Sequence, residues 1–399
     1  MMTTIAQGHS FNHNRDAYYF GDKALIISVC LLLAFGLVMM TSASIEIASS
    51  ENADAFYYLK KQLIFMVMGF VAAAVVYMVP LKLYQEWDIF LLFSAISLLV
   101  LVLVPGIGRE VNGSTRWLNL GFMTLQASEP AKLFVVIFIA AFLSKYRSFV
   151  CASWKGFVTP LVFAALPIFL LLKEPDFGAV VVLMLAVFGM MFLAGVKLYQ
   201  FILLILVAGA AGAGLIFSSS YRIARVKSFI TALSDPFNEE VVFGSGYQLA
   251  QALIAFGRGE WFGVGLGNSI QKLYFLPEAH TDFVLAIIAE ELGVISVLLL
   301  LALFMVFIWR AMMIARKNEK KGDFFPAYLA YGIALIFMGQ VIINVGVNTG
   351  LLPTKGLTLP FLSAGGSSLI TCMVMVAILL RIDSENFAKG NNLKRVVKG

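Results

Sequence analysis

Apolar stretches of spanning length, or nearly so, fall at about 24–44, 62–80, 88–104, 132–144, 156–172, 178–195, 198–217, 282–309, 326–347 and 366–381. Each reads as a membrane helix, which predicts an all-α polytopic protein of ten transmembrane helices. The fourth is the shortest and borrows turns from Ala127–Ala131 and Ser144–Tyr146. Between the seventh and eighth runs lies a connection, 218–281, too long to be structureless between packed helices. Within it Leu249, Ala252, Leu253 and Phe256 recur at helical spacing, so Tyr247 to Phe256 reads as a short amphipathic helix at the membrane interface. The 348–365 connection is apolar apart from Lys355 and its hydroxyls, and is expected to dip into the membrane. That requires protein or a wet cavity to satisfy its backbone. Gly365-Gly366-Ser367-Ser368 then opens the last helix, with hydroxyls as caps. No internal repeat is visible, nor a matching pair of broken spans of the kind that marks many secondary transporters.

Composition agrees: 60% of the residues are hydrophobic, 13% are charged and the mean hydropathy is +0.90. The formal charge of +6 does not point to nucleic acid, because the basic residues are scattered between spans and form no patch. Outside the long 218–281 connection, Lys and Arg divide 17 to 7 between alternate sides, which places both termini in the cytoplasm and the loops at 45–61, 105–131, 173–177, 218–281 and 348–365 outside it. Three regions follow: a tail at 1–23, a membrane domain at 24–382 and a solvated tail at 383–399. The polar leader carries only Arg15 and Lys23, and the apolar run after it exceeds the core of a signal peptide, so the first helix is expected to be retained. Cys30, Cys151 and Cys372 show no pairing pattern. No Gly-Lys-Ser/Thr occurs, the Gly257-x-Gly259 and Gly263-x-Gly265-x-Gly267 runs follow no strand, and no Asp-x-Asp pair exists, which disfavours nucleotide-dependent chemistry.

The polar chemistry gathers in the outer connections. Phe275-Leu276-Pro277-Glu278-Ala279-His280-Thr281-Asp282-Phe283 leads into the longest apolar run, with Glu290 eight residues beyond Asp282. An acid at that depth costs about 2.5–3.5 kcal/mol on insertion scales, which makes Asp282 and Glu290 candidates for function. The alternative is that Pro277 and Asp282 merely start a helix. In the 105–131 connection, Arg109, Arg116 and Lys132 can present positive charge to phosphates, or anchor the chain at the headgroups beside Trp117. Lys173-Glu174-Pro175-Asp176 reads as a charged turn whose Asp176 faces a cavity or water.

The motifs Leu276-Pro277-Glu278-Ala279-His280-Thr281-Asp282-Phe283, Glu290-Glu291-Leu292-Gly293, Leu352-Pro353-Thr354-Lys355-Gly356-Leu357-Thr358-Leu359-Pro360 and Gly365-Gly366-Ser367-Ser368 closely resemble the SEDS family (shape, elongation, division and sporulation). The Pro-Thr-Lys-Gly-Leu-Thr-Leu-Pro form resembles its cell-division members more than its elongation members. The resemblance implies a peptidoglycan glycosyltransferase that polymerises lipid II at the outer face of the cytoplasmic membrane, at the division septum. It also implies a class B penicillin-binding transpeptidase and other division-complex membrane proteins as partners. The family's essential aspartate falls on Asp282. Gln126, Glu129 and Lys132 fall on its Gln-Pro-Ser/Ala-Glu-Phe-Ala-Lys motif, and Lys355 on its basic residue in the last outer loop. His280 and Glu290 join Arg109, Arg116, Glu129, Lys132 and Lys355 as substrate-binding candidates. Three positions depart from the pattern: Pro130 sits three places late, Thr124 stands where some division members carry arginine, and Ala364 replaces a frequent aromatic.

Such a reaction needs a base for the acceptor hydroxyl and positive charge for the departing diphosphate, and no nucleotide. No metal ligand set is read. Assistance by a magnesium or manganese ion is left open. A lipid II flippase is the alternative from another class, and a purely structural scaffold a third. The outward bias of the polar residues favours the enzyme over the first, and Asp282 together with Glu290 over the second.

Overall fold

The computed structural model describes residues 20–111, 114–119, 121, 123–218, 220–235, 238, 244, 246–354 and 356–398. The first helices are α1 (Lys23–Asn52), α2 (Tyr57–Met78), the short α3 (Leu81–Glu86) and α4 (Asp88–Leu103). After a small sheet come α5 (Ser128–Ala152), α6 (Trp154–Lys173), α7 (Phe177–Leu193), α8 (Leu198–Phe217), α9 (Ser220–Ser234) and α10 (Tyr247–Gly259). The chain ends with α11 (Val284–Lys320), α12 (Phe324–Asn348) and α13 (Gly366–Lys398). Each expected apolar stretch falls on a helix. Among the described residues, seven helices are long and apolar enough to cross a membrane; α4, α7 and the Leu198–Gly214 part of α8 are apolar but shorter. The chain is a multi-pass membrane protein.

At the centre lies α12, largely buried through residues such as Ala327, Leu329, Ile333 and Ile336, against α5, α7 and α11. At the edge, α2 exposes Ile64, Val67, Phe70, Val71 and Val75. An apolar face left open in this way is what lipid covers.

The expectation of an all-α chain is corrected in the 105–131 connection. Strands β1 (Gly108–Val111), β2 (Ser114–Asn119) and β3 (Thr124–Gln126) form an antiparallel sheet in the order β1-β2-β3. Arg109 pairs with Trp117, and Trp117 with Gln126. The strands are too short, and too rich in Gly, Arg, Glu and Asn, to display an alternating pattern. Pairing satisfies a backbone that has no room for another helix.

Several helices outrun their apolar runs. Beyond Trp309, α11 continues because polar partners hold it: Arg310 pairs with Asp22, and Lys317 with Asp383 at 3.6 Å. The same contacts tie the start of the 383–399 segment to the helices. Asp383 and Asn386 are buried on α13, and the Lys321 Nζ donates to the Asn386 carbonyl at 3.1 Å. The 1–23 tail lies outside the described residues as far as 19.

The long connection is ordered where it meets α11. Helix α10 forms as expected, but its apolar side, with Leu249 and Ala252, is buried against protein. Helix α11 is broken at Gly293, whose φ of 76° and ψ of 173° belong to glycine. The break frees backbone groups, and the segment after α10 takes them up. Val264 and Gly265 N–H donate to the Glu290 and Glu291 carbonyls at 3.0 and 2.9 Å, while Val294 and Ile295 N–H donate to Glu260 and Trp261 at 2.9 and 3.3 Å. Non-helical backbone is thereby satisfied within the protein.

The 348–365 connection is held by ring packing and hydrogen bonds within the protein. The ring of Phe361 stacks on Phe337 at 5.5 Å and meets Phe307 edge-on at 5.8 Å. The Leu359 N–H donates to Ser363 Oγ at 2.8 Å. The expected capping by Ser367 and Ser368 is replaced by cross-links: Ser367 Oγ accepts from Gln126 N–H at 3.2 Å, and Ser368 Oγ lies 3.1 Å from Thr358 Oγ1. Displaced Pro130 sits in the first turn of α5, where its missing N–H costs nothing.

Candidate active site at Asp282

Asp282 ends a compact turn. The N–H groups of Thr281, Asp282 and Phe283 all point at the Glu278 carbonyl, at 3.1–3.2 Å, and Thr281 Oγ1 donates to Glu278 Oε2 at 2.6 Å. Glu278 adopts a φ of 58°, a left-handed value that a carboxylate residue takes only when its neighbours hold it. The His280 carbonyl accepts from Ala364 N–H at 2.9 Å, which stitches the turn to the loop before α13. The Asp282 carbonyl accepts from Asn344 Nδ2 at 3.0 Å and Asn348 Nδ2 at 3.1 Å, both reaching from the end of α12. The side chain is therefore presented from a rigid mount.

Its carboxylate lies against Gly356. A methyl group added there would meet Asp282 Oδ2 at 2.6 Å, closer than any real contact. Among the described residues none donates a hydrogen bond to this carboxylate. Burial pushes the Asp282 carboxyl up to about 7; the nearby charges of Glu278 and Asp176 add to the rise and Arg116 opposes it. A carboxylate poised near neutrality is what proton abstraction requires.

A second polar group, built from the sheet and the α6–α7 turn, lies close enough for its charges to act on Asp282. Arg116, on β2, donates through Nε to the Glu174 carbonyl at 3.2 Å and through Nη2 to the Pro175 carbonyl at 2.8 Å. Asp176 caps α7, accepting from Ala179 N–H at 3.2 Å, and also accepts from Ser128 Oγ at 2.9 Å and Gln126 Nε2 at 3.4 Å. Glu174 is fully buried, and neither carboxylate oxygen has a partner among the described residues. Burial, then Asp176, push its carboxyl up to about 8, against the pull of Arg116.

The sequence candidates divide. Arg116 stands close enough to act on Asp282. Arg109 is exposed on β1. Lys132 is buried in an ion pair with Glu129 at 2.9 Å, both side chains 3% exposed or less, so it is not presented at the surface. His280 packs on the ring of Tyr58 at 4.8 Å. Burial holds its imidazole below the usual range and hence neutral, with nearby Glu278 and Glu51 opposing. Glu290 is saturated: it pairs with Arg258 at 2.5 Å and accepts from Ser269 Oγ and from the N–H groups of Ile270 and Gln271 at 3.1 and 3.3 Å. Lys355 lies outside the described residues, next to Gly356. Among the described residues no group of three or more His, Cys, Asp or Glu is arranged to hold a metal ion.

Asn344, Asn348 and Gly356 were not singled out by the sequence. The available signal was two asparagines four residues apart near the end of an otherwise apolar helix, a spacing that puts both on one face.

Residues 22–387 match the model of the cell cycle protein family that groups FtsW, RodA and SpoVE. A probable peptidoglycan glycosyltransferase FtsW from Hahella chejuensis is 52% identical over 364 residues, 91% of this chain and 90% of that one. Its counterpart from Pseudomonas fluorescens is 49% identical over 365 residues, 92% and 88% of the two chains. Among solved structures, the rod shape determining protein RodA of Thermus thermophilus superposes with a TM-score of 0.68 at 25% identity, over 92% of this chain and 98% of that one. A chain solved in work on a peptidoglycan synthase complex superposes with a TM-score of 0.74 at 24% identity and the same coverage, a likeness of fold. With a family model matched over nearly its whole length and relatives at about half identity, the chain belongs to the FtsW/RodA/SpoVE family of cell cycle proteins.

Proposed function

We propose that the chain is a peptidoglycan glycosyltransferase that polymerises lipid II during cell division. Relatives named for that activity cover nine-tenths of the chain. The observation that carries the chemistry is Asp282, a carboxylate on a rigid mount, with a near-neutral pKa, no donor among the described residues and the charge of Arg116 near enough to act on it.

In this reading the ionised Asp282 takes the proton of an acceptor sugar hydroxyl. The freed oxygen bonds to the anomeric carbon of a second lipid-linked disaccharide, the bond from that carbon to the diphosphate breaks, and its electron pair leaves with the polyprenyl diphosphate. Arg116, and Lys355 beside Gly356, are the basic residues proposed to meet the diphosphate. Buried Lys132 instead holds Glu129. A single displacement inverts the anomeric centre. Product of unchanged configuration from an α-linked donor would rule it out.

The finer membrane assignment belongs to the same proposal. Ten helices span the cytoplasmic membrane, both termini face the cytoplasm, and the Asp282 end faces outward at the septum. A class B penicillin-binding transpeptidase is the proposed partner, in keeping with a similar chain solved in work on coordinated polymerization and crosslinking. The test is polymerisation of purified lipid II by the chain together with its transpeptidase, natural against Asp282→Asn. Glycan strands from the natural chain alone support the enzyme. Labelled lipid crossing a vesicle membrane without polymer would replace the enzyme with a flippase.

A further inference from the structure

We infer that Asn344 and Asn348 are positioning residues for the reaction at Asp282, a bracket that fixes this carboxylate against the loop carrying Gly356. The inference rests on the reading of Asp282 as the base.

The bracket is fully determined by its hydrogen bonds. Asn344 is 2% exposed and Asn348 is fully buried. The Asn344 amide has two N–H bonds and two carbonyls in reach, Asp282 at 3.0 Å and Leu357 at 2.7 Å. One side chain thus ties the turn bearing Asp282 to the loop bearing Gly356. Asn348 Nδ2 donates to the same Asp282 carbonyl at 3.1 Å and to the Asn344 carbonyl at 2.9 Å. Its Oδ1 accepts at 3.2 Å from Ala286 N–H in the first turn of α11, an N–H that it shares with the Phe283 carbonyl at 3.0 Å. Carbonyls can only accept and Ala286 N–H can only donate, so the orientation of both amides is forced. No other residue type of this size supplies two donors. Aspartate in place of Asn344 would set a carboxylate against two carbonyl oxygens in a buried site.

The contacts run to the Asp282 carbonyl, so neither asparagine reaches the reacting proton. What they fix is the height and angle at which the Asp282 side chain leaves the backbone. Gly356 bounds the other side: a Cβ there would meet the carboxylate oxygen at 2.6 Å, so the carboxylate occupies the space that a side chain would fill. A catalytic base misplaced by about 1 Å can lose on the order of 100-fold in rate.

The test compares the purified full-length chain with Asn344→Asp, Asn344→Ala and Asp282→Asn, following lipid II polymerisation against substrate concentration and pH. The expected result for Asn344→Asp is a kcat about 100-fold lower per folded molecule with KM within roughly two-fold. In Asn344→Ala, which adds no charge, the acid limb of the pH profile should also move down, because a loosened Asp282 is better hydrated. A residue that only held the helices together would lower the yield of folded protein and leave both readouts unmoved. Unchanged kcat and an unchanged acid limb in folded Asn344→Ala would overturn the inference, and this smaller variant carries the test if Asn344→Asp does not fold. Activity in Asp282→Asn would instead remove the base assignment itself, a separate outcome.

Discussion

Asp282 and the Glu290-Glu291 pair lie within ten residues of one another, all are acids in an apolar stretch, and they end in opposite situations. Glu291 is fully buried, pairs with Lys272 at 2.9 Å and accepts from Ser42 Oγ at 2.9 and 2.7 Å on its two oxygens. Glu290 is held by Arg258, Ser269 and two backbone N–H groups. Each of these carboxylate oxygens has a donor, and the donors come from Ser42 on α1 and from the segment that closes the break at Gly293. Asp282 has its backbone clamped and its carboxylate left without a described donor. Charge saturated by partners builds structure. Charge that is mounted rigidly and left unsatisfied is available to a substrate.

The largest effect expected from this contrast is at Asp282. Replacement by Asn keeps size and removes the base, and should lower lipid II polymerisation by about 10³-fold. Stability should move the other way. The folded-state pKa of Asp282 is raised from its ordinary value to about 7, so the favourable contribution is full under acid conditions and is lost as pH rises through 7. At pH 8 the natural chain holds an ionised carboxylate in a site that disfavours it, and Asp282→Asn should melt a few degrees higher. Equal melting temperatures at pH 8 would mean that the site does not strain the charge.

Glu291→Gln is the reciprocal case. It leaves the Lys272 ammonium buried with no counter-charge, and breaking a buried pair in this way costs about 3–5 kcal/mol. Thermal unfolding should register that loss, while kcat per folded molecule stays near that of the natural chain. A kcat loss as large as that of Asp282→Asn, at unchanged stability, would erase the distinction between the two settings.

The helices were legible because membrane spans are written in long apolar runs, and the turn at Asp282 because its motif is continuous in sequence. Partnership was not legible. Asp282, Glu290 and Lys132 looked alike as charges near apolar runs; only the fold brings Arg258 to Glu290 across 32 residues, and only the fold buries the local Glu129–Lys132 pair. The small sheet was missed because its three strands are too short to show a period. The asparagine bracket was missed because Asn344 and Asn348 act on a carbonyl 62 and 66 residues away, which no local pattern encodes.

A finer test uses the charges around Asp282 without touching it. Arg116 lowers the Asp282 pKa and Asp176 raises it. Arg116→Gln should therefore shift the acid limb of the pH–rate profile upward from about 7, and Asp176→Asn should shift it downward. Asn is the cleaner replacement, since its side-chain oxygen still caps α7 as the Asp176 carboxylate does. Shifts in the same direction for both variants would show that the limb does not belong to Asp282.

The smallest effect is expected at Ser42, on the saturated side of the contrast. Its hydroxyl reaches both oxygens of Glu291 from α1, but Lys272 and the Ser269 N–H remain when it is removed. Ser42→Ala should cost about 1.5–3 kcal/mol in thermal unfolding, the range for a hydrogen bond to a charged group. The pH–rate profile should be unchanged, because nothing near Asp282 has moved. If Ser42→Ala instead displaced the acid limb, the Glu291 network would be coupled to the base, and the two settings would be parts of one electrostatic unit.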